Sequence, residues 1–70
     1  MTIAVLGGTG PQGRGLALRW AVAGQQVVIG SRDAARAQQV AGELGHGITG
    51  AANLQAAQQA DIVLVAVPYE

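Results

Sequence analysis

Apolar and polar positions alternate along this chain in blocks. The run "TIAVLG" is short, continuous and rich in β-branched residues, the pattern of a strand buried on both faces, here roughly residues 2 to 7. Leu16, Trp20 and Ala23 then recur at helical spacing; Pro11 stands where a first helical position tolerates proline, and Gly24 supplies a stop. "QVVIG" at about 26 to 30 repeats the buried-strand pattern, and "SRDAARAQQVAGELG" predicts a helix over roughly 33 to 44 ended by Gly45. Further along, "GIT" at 47 to 49 reads as a short third strand and Asn53 as the cap of a helix reaching about Gln59. "DIVLVAV" is the most strongly apolar strand of the chain.

Strands alternating with helices through short loops imply a parallel sheet with right-handed crossovers. The fold expected is therefore α/β and Rossmann-like, with strand order 3-2-1-4, the first half of a doubly wound dinucleotide-binding fold. Residues 1 to 70 read as the N-terminal part of such a domain, truncated at its C-terminal end. A chain this short buries a smaller share of its surface than a full-sized domain, so marginal stability is expected.

Composition narrows the chemistry. Trp20 and Tyr69 are the only aromatics, so Val, Ile, Leu and Ala must supply the packing. Net charge is zero, all four basic residues are Arg, and no basic run appears, so a nucleic-acid surface has little to stand on. Cysteine is absent, which removes disulfides and thiolate chemistry and fits a cytoplasmic protein. "MTIAVLGG" lacks a positive n-region, and "IVLVAV" is far too short to cross a bilayer, so no membrane partner is expected. Paired glutamines at 25–26, 38–39 and 58–59 read as solvated surface.

The candidate chemistry lies in "VLGGTGPQGRG", which leaves the first strand and enters the first helix with glycines at 7, 8, 10, 13 and 15. Gly8, Gly10 and Gly13 fit GxGxxG in the setting that gives this motif meaning, between a strand and a helix with a second strand to follow. In that motif the first glycine permits the tight turn, the second lets a diphosphate approach the backbone, and the third lets the helix lie close to the sheet. The helix N-terminus offers unpaired N–H groups and a positive dipole end to the phosphates. Gly15 costs about 1 kcal/mol relative to Ala inside a helix, so close packing or room for a ligand is expected there.

At the end of the second strand an NAD-type site places Asp or Glu on the ribose hydroxyls. Here the chain reads "IGSRDAAR": a small hydroxyl at Ser31, a planar charged fork at Arg32, and Arg36 one helical turn on. This is the chemistry a 2′-phosphate requires, so NADP(H) is favoured over NAD(H). Asp33 reads as a helix cap rather than a ribose ligand. Arg14 and Arg19 read as solvated positions on the first helix, Arg14 being near enough to the glycine loop to touch a ligand. His46 reads as an ordinary loop residue and Asp61 as a local turn. Val67, Pro68 and Tyr69 end the last strand at the sheet's carboxyl edge, where they would border the nicotinamide half. No metal-ligating set and no catalytic acid, base or nucleophile is assigned.

Three segments, "GGTGPQGRGLALRWA", "VVIGSRDAARA" and "DIVLVAVPYE", together resemble the N-terminal domain of the NADPH-dependent reductases of the deazaflavin coenzyme F(420), across essentially the whole chain. The resemblance implies hydride transfer between NADP(H) and the deazaflavin, with the cofactor carrying the chemistry. It also implies that Thr9, Gly10, Pro11 and Gln12 line the diphosphate while Ser31, Arg32 and Arg36 hold the 2′-phosphate. Family members often carry Asn and Leu at positions 11 and 12; backbone contacts carry over there, except for the N–H that Pro11 lacks. They continue well beyond "VPYE", so the deazaflavin surface is expected past Glu70, and homo-oligomerisation of a full-length protein is left open. The alternative is an NADP-binding atypical short-chain dehydrogenase or a non-catalytic redox-sensing module, because Gly7, Gly10 and Gly13 also satisfy GxxGxxG. A Tyr-x-x-x-Lys pair after Glu70 would favour the dehydrogenase.

Overall fold

The computed structural model describes residues 1–7 and 9–66, and the order of elements is strand, helix, strand, helix, strand, helix, strand. These are β1 (Thr2–Leu6), α1 (Pro11–Val22), β2 (Gln26–Ser31), α2 (Ala34–Leu44), β3 (Thr49–Ala52), α3 (Asn53–Gln59) and β4 (Ile62–Val65). The sheet has the order β3-β2-β1-β4, with every neighbouring pair parallel, as the alternating pattern predicted. β1 is central and pairs Leu6 with Gly30 of β2 and with Val65 of β4, so three strand ends finish level with one another.

Both faces of the central strands β1 and β2 are covered, which is why they are continuous apolar runs rather than alternating ones. Ile3, Val5, Val27 and Ile29 point to the side of α1 and α2, where Ala17, Ala37, Val40 and Ala41 meet them. Ala4 and Val28 point the other way, onto Ala56 of α3 and Ala51. The buried core of the described residues is built from Val, Ile and Ala alone. Small side chains let the layers approach closely. At Gly50 of β3 an added Cβ would collide with the Ala37–Gln38 backbone of α2, so this helix sits on its strand only because position 50 is glycine.

Several elements differ from their sequence reading. The third strand runs from Thr49 to Ala52 rather than over 47 to 49, because Gly45, His46 and Gly47 all take positive φ (70°, 57° and 76°) and turn the chain before it can extend. α1 buries Gly13 and Ala17, whereas Trp20 and Ala23 of the expected stripe are exposed; the helix presents its smallest residues to the sheet. β4 is short and largely exposed despite its apolar sequence, with Val65 at 65% exposure, because among the described residues it has β1 on one side and no strand on the other. Asp61 is not a local turn residue. Its carboxylate accepts from the Thr2 N–H (2.9 Å) and its own N–H donates to the Thr2 carbonyl (2.8 Å), fastening the start of β4 to the start of β1.

Candidate dinucleotide site

The cleft lies where β1 gives way to α1, at the carboxyl edge of the sheet. Gly7 takes φ +71°, and a Cβ there would lie 2.5 Å from the Ala66 carbonyl oxygen, so only glycine can make this exit from the strand. Its N–H donates to the Gly30 carbonyl at 2.9 Å, which holds the loop against the end of β2. Gly8, read as the turn glycine, lies outside the described residues, as do Val67, Pro68 and Tyr69.

Gly10 is the N-cap of α1, with extended dihedrals and no capping side chain, and Pro11 follows at the first helical position. A Cβ on Gly10 would meet nothing within 4 Å, which is the open approach that a phosphate group needs. Gly13 is buried, in keeping with close helix–sheet contact. Gly15 is different: it is exposed with no neighbour within 4 Å, so close packing does not explain it.

Gly7, Thr9, Gly10, Pro11, Gln12 and Gly13 face Ser31, Arg32, Asn53 and Ala66 across a cleft of about 580 Å³. The structure thus brings the glycine loop and the Ser31–Arg32 corner to one cavity. Arg36 is exposed on the first turn of α2 and does not line the cleft. Asp33 is the cap that its position predicted: its Oδ1 accepts from the N–H groups of Ala35 (3.0 Å) and Arg36 (3.3 Å), while its own N–H donates to Ser31 Oγ at 3.2 Å. Arg32 makes no ion pair among the described residues and stands beside the positive end of α2, where a cation without an anion is unfavourable.

Asn53, like Asp61, has a role other than the one its sequence position suggests. Ala52, not Asn53, is the N-cap of α3, and no side chain caps it. Asn53 Oδ1 instead accepts from the Gly7 N–H at 3.4 Å and lines the cleft. Gly30 makes room for it, since a Cβ there would lie 2.8 Å from Asn53 Oδ1 and from Leu6 Cδ2. The signal available in the sequence was a polar residue directly after a strand that ends beside the glycine loop in the sheet.

Among the described residues no group of three or more His, Cys, Asp or Glu could hold a metal ion, and no helix is long and apolar enough to cross a membrane. The cleft suits a dinucleotide phosphate: it offers an uncapped helix start, glycines that leave the backbone open, and the Arg32 guanidinium, unpaired among the described residues.

Known proteins are similar to this chain in sequence and in fold. The model of the family described as NADP oxidoreductase, coenzyme F420-dependent, matches residues 2–70. An F420-dependent NADP reductase of Methanothermobacter thermautotrophicus is 51% identical over 77 residues, covering all of this chain and 33% of the relative. One of Methanocaldococcus jannaschii is 40% identical over 79 residues, again covering the whole chain and 35% of the relative. Among solved structures, one provisionally assigned as a betaketoacyl-ACP reductase superposes with a TM-score of 0.79 at 34% identity, over 99% of this chain and 34% of that one. A short chain dehydrogenase/reductase family protein gives 0.68 at 35% identity, over 84% of this chain and 27% of that one. The chain spans about a third of the length of the curated relatives it matches. With the family model matched from residue 2 to residue 70 and the glycine loop, parallel sheet and Ser31–Arg32 corner in place, the chain belongs to the coenzyme F420-dependent NADP oxidoreductase family.

Proposed function

We propose that this chain is the NADP(H)-binding part of an oxidoreductase that moves hydride between NADPH and a deazaflavin. The observation that carries the reading is the meeting of an uncapped, glycine-lined helix start with Ser31 and Arg32 in one cleft. The diphosphate lies against Gly10, Gln12 and Gly13, with Gly8, Thr9 and Pro11 completing the loop, and the helix N-terminus supplies N–H groups and the dipole. Ser31 and Arg32 take the 2′-phosphate, the guanidinium through paired N–H donors. Arg36 can join them from the first turn of α2, and Val67 and Pro68 border the nicotinamide. The nicotinamide supplies the hydride when bound; the chain binds, orients and selects it. The relatives are about three times longer, and we place the deazaflavin surface in the portion that this chain does not span. We place the protein in the cytoplasm.

Titration of NADPH and NADH against wild type and Arg32→Ala tests the reading. A hydrogen bond to a charged partner contributes roughly 1.5 to 3 kcal/mol, so the variant should lose about tenfold to a hundredfold in NADPH affinity and almost nothing in NADH affinity. Equal wild-type affinities, or equal losses for both nucleotides, would return Arg32 to the helix surface. A second reading, a short-chain dehydrogenase relative, is favoured by the two solved structures and by Gly7, Gly10 and Gly13 satisfying GxxGxxG. Against it stand three relatives at 40–51% identity, each an F420-dependent NADP reductase.

A further inference from the structure

We infer that Arg14 is a positioning residue: it holds the Thr9–Gly10 peptide so that the Gly10 N–H, and not the Thr9 carbonyl, faces the cleft where the diphosphate binds. The inference rests on the dinucleotide reading given above.

Arg14 grips the loop through its side chain, whose Nε donates to the Thr9 carbonyl at 3.0 Å in a partly buried position. Its backbone bond to the Gly10 carbonyl, at 2.9 Å, is the first helical hydrogen bond of α1, which any residue but proline would make at this position. No cis peptide bond occurs among the described residues, so the C=O and N–H of the Thr9–Gly10 unit point in opposite directions. Thr9 and Gly10 line the cleft and Arg14 does not. A Thr9 carbonyl drawn to Arg14 therefore leaves the Gly10 N–H on the cleft side. The opposite rotation would aim a carbonyl, with its partial negative charge, at the diphosphate.

The restraint matters at Gly10 in particular, since the hydrogen bonds of Gly7 hold the other end of the loop. Glycine lets the flanking peptide plane swing at small cost, and Gly10 has open space around it. A second anchor steadies the guanidinium: Arg14 Nη1 lies 3.7 Å from Glu43 Oε1 on α2. Both side chains are substantially exposed, so that pair is weak as a source of stability, yet it draws the guanidinium towards α2. Arg14 thus stands outside the cleft and acts on the ligand through the loop.

Arg14→Met keeps the apolar stem and removes the donor. In the full chain, calorimetric titration should show NADP+ and NAD+ losing affinity by the same factor, about five- to tenfold, less than a charge-assisted hydrogen bond to the ligand itself because Arg14 acts only through the loop. Adenosine 2′-monophosphate, which lacks the diphosphate, should bind unchanged. The loss should persist at high salt, where an attraction acting at a distance would be screened away. An unchanged dinucleotide affinity, an equal loss for adenosine 2′-monophosphate, or a loss that vanishes with salt would overturn the assignment. A second measurement does not depend on the variant folding: in wild type, the Gly10 amide resonance should shift on addition of NADP+ and not on addition of adenosine 2′-monophosphate. Binding of NADP+ with the Gly10 amide unmoved overturns the role of Arg14 alone, whereas failure of wild type to bind either dinucleotide overturns the dinucleotide reading with it.

Discussion

Helices α1 and α2 lie on the same face of the sheet and begin in opposite ways. α2 opens with Asp33, whose carboxylate accepts from two N–H groups of the first turn, and it closes at Gly45 with φ 70°. It turns Ala37, Val40 and Ala41 to the core and polar residues outward. α1 opens with a glycine that caps nothing, a proline, and an N-terminus that faces a cleft. It buries only Gly13 and Ala17. A helix that serves mainly to pack satisfies its own terminal donors, while a helix that binds an anion leaves them for the ligand. The open space at Gly10 and the uncapped start of α1 are two sides of one choice of residues.

The largest effect expected from this contrast comes from giving α1 the cap that α2 has. In Gly10→Asp the backbone at φ −81° accepts a side chain and the space is open, so the protein should fold with its melting temperature unchanged or slightly raised. The new carboxylate would occupy the N–H groups meant for the diphosphate. With charge-assisted bonds contributing about 1.5 to 3 kcal/mol each, binding of both NADPH and NADH should fall by about a hundredfold or more. Retained binding in calorimetry would mean that the N-terminus of α1 is not the anion site.

The converse change removes the cap from α2. Asp33→Ala should cost about 1 kcal/mol of stability, a fall of about 4 to 8 °C in melting temperature for a domain of this size. The preference for NADPH over NADH should stay as it was. A loss of NADH affinity at constant melting temperature would place Asp33 on the ribose instead of on Ala35 and Arg36.

A smaller effect is expected at Gly15, exposed in the middle of α1 with no neighbour within 4 Å. Gly15→Ala should stabilise the helix by up to about 1 kcal/mol, read as a higher melting temperature with dinucleotide affinity unchanged. Weaker binding in that variant would show that the open groove beside Pro11, Gln12, Leu16 and Arg19 has an occupant.

Much of this molecule could be read along the chain because local chemistry decided it. The continuous apolar runs of β1 and β2 admit only strands covered on both faces, the glycine loop between β1 and α1 has the spacing of a phosphate-binding turn, and Asp33 and Gly45 announce the ends of α2. Strand order 3-2-1-4 followed from right-handed crossovers between parallel strands. What could not be read depended on partners far away in sequence. Asp61 bonds Thr2 across 59 positions, and Asn53 bonds Gly7 across 46; each has the local look of a turn or a cap. The "DIVLVAV" run announced a strand, but not that β4 would sit at the edge of the described sheet with Ile62, Val63 and Val65 exposed. Neither could the sequence reveal which way the Thr9 carbonyl turns. Propensity and periodicity are set by neighbours within a few residues, whereas hydrogen-bond partners and burial are set by whatever the fold brings alongside, and in this chain that is where the cleft acquires Asn53 and the loop its orientation.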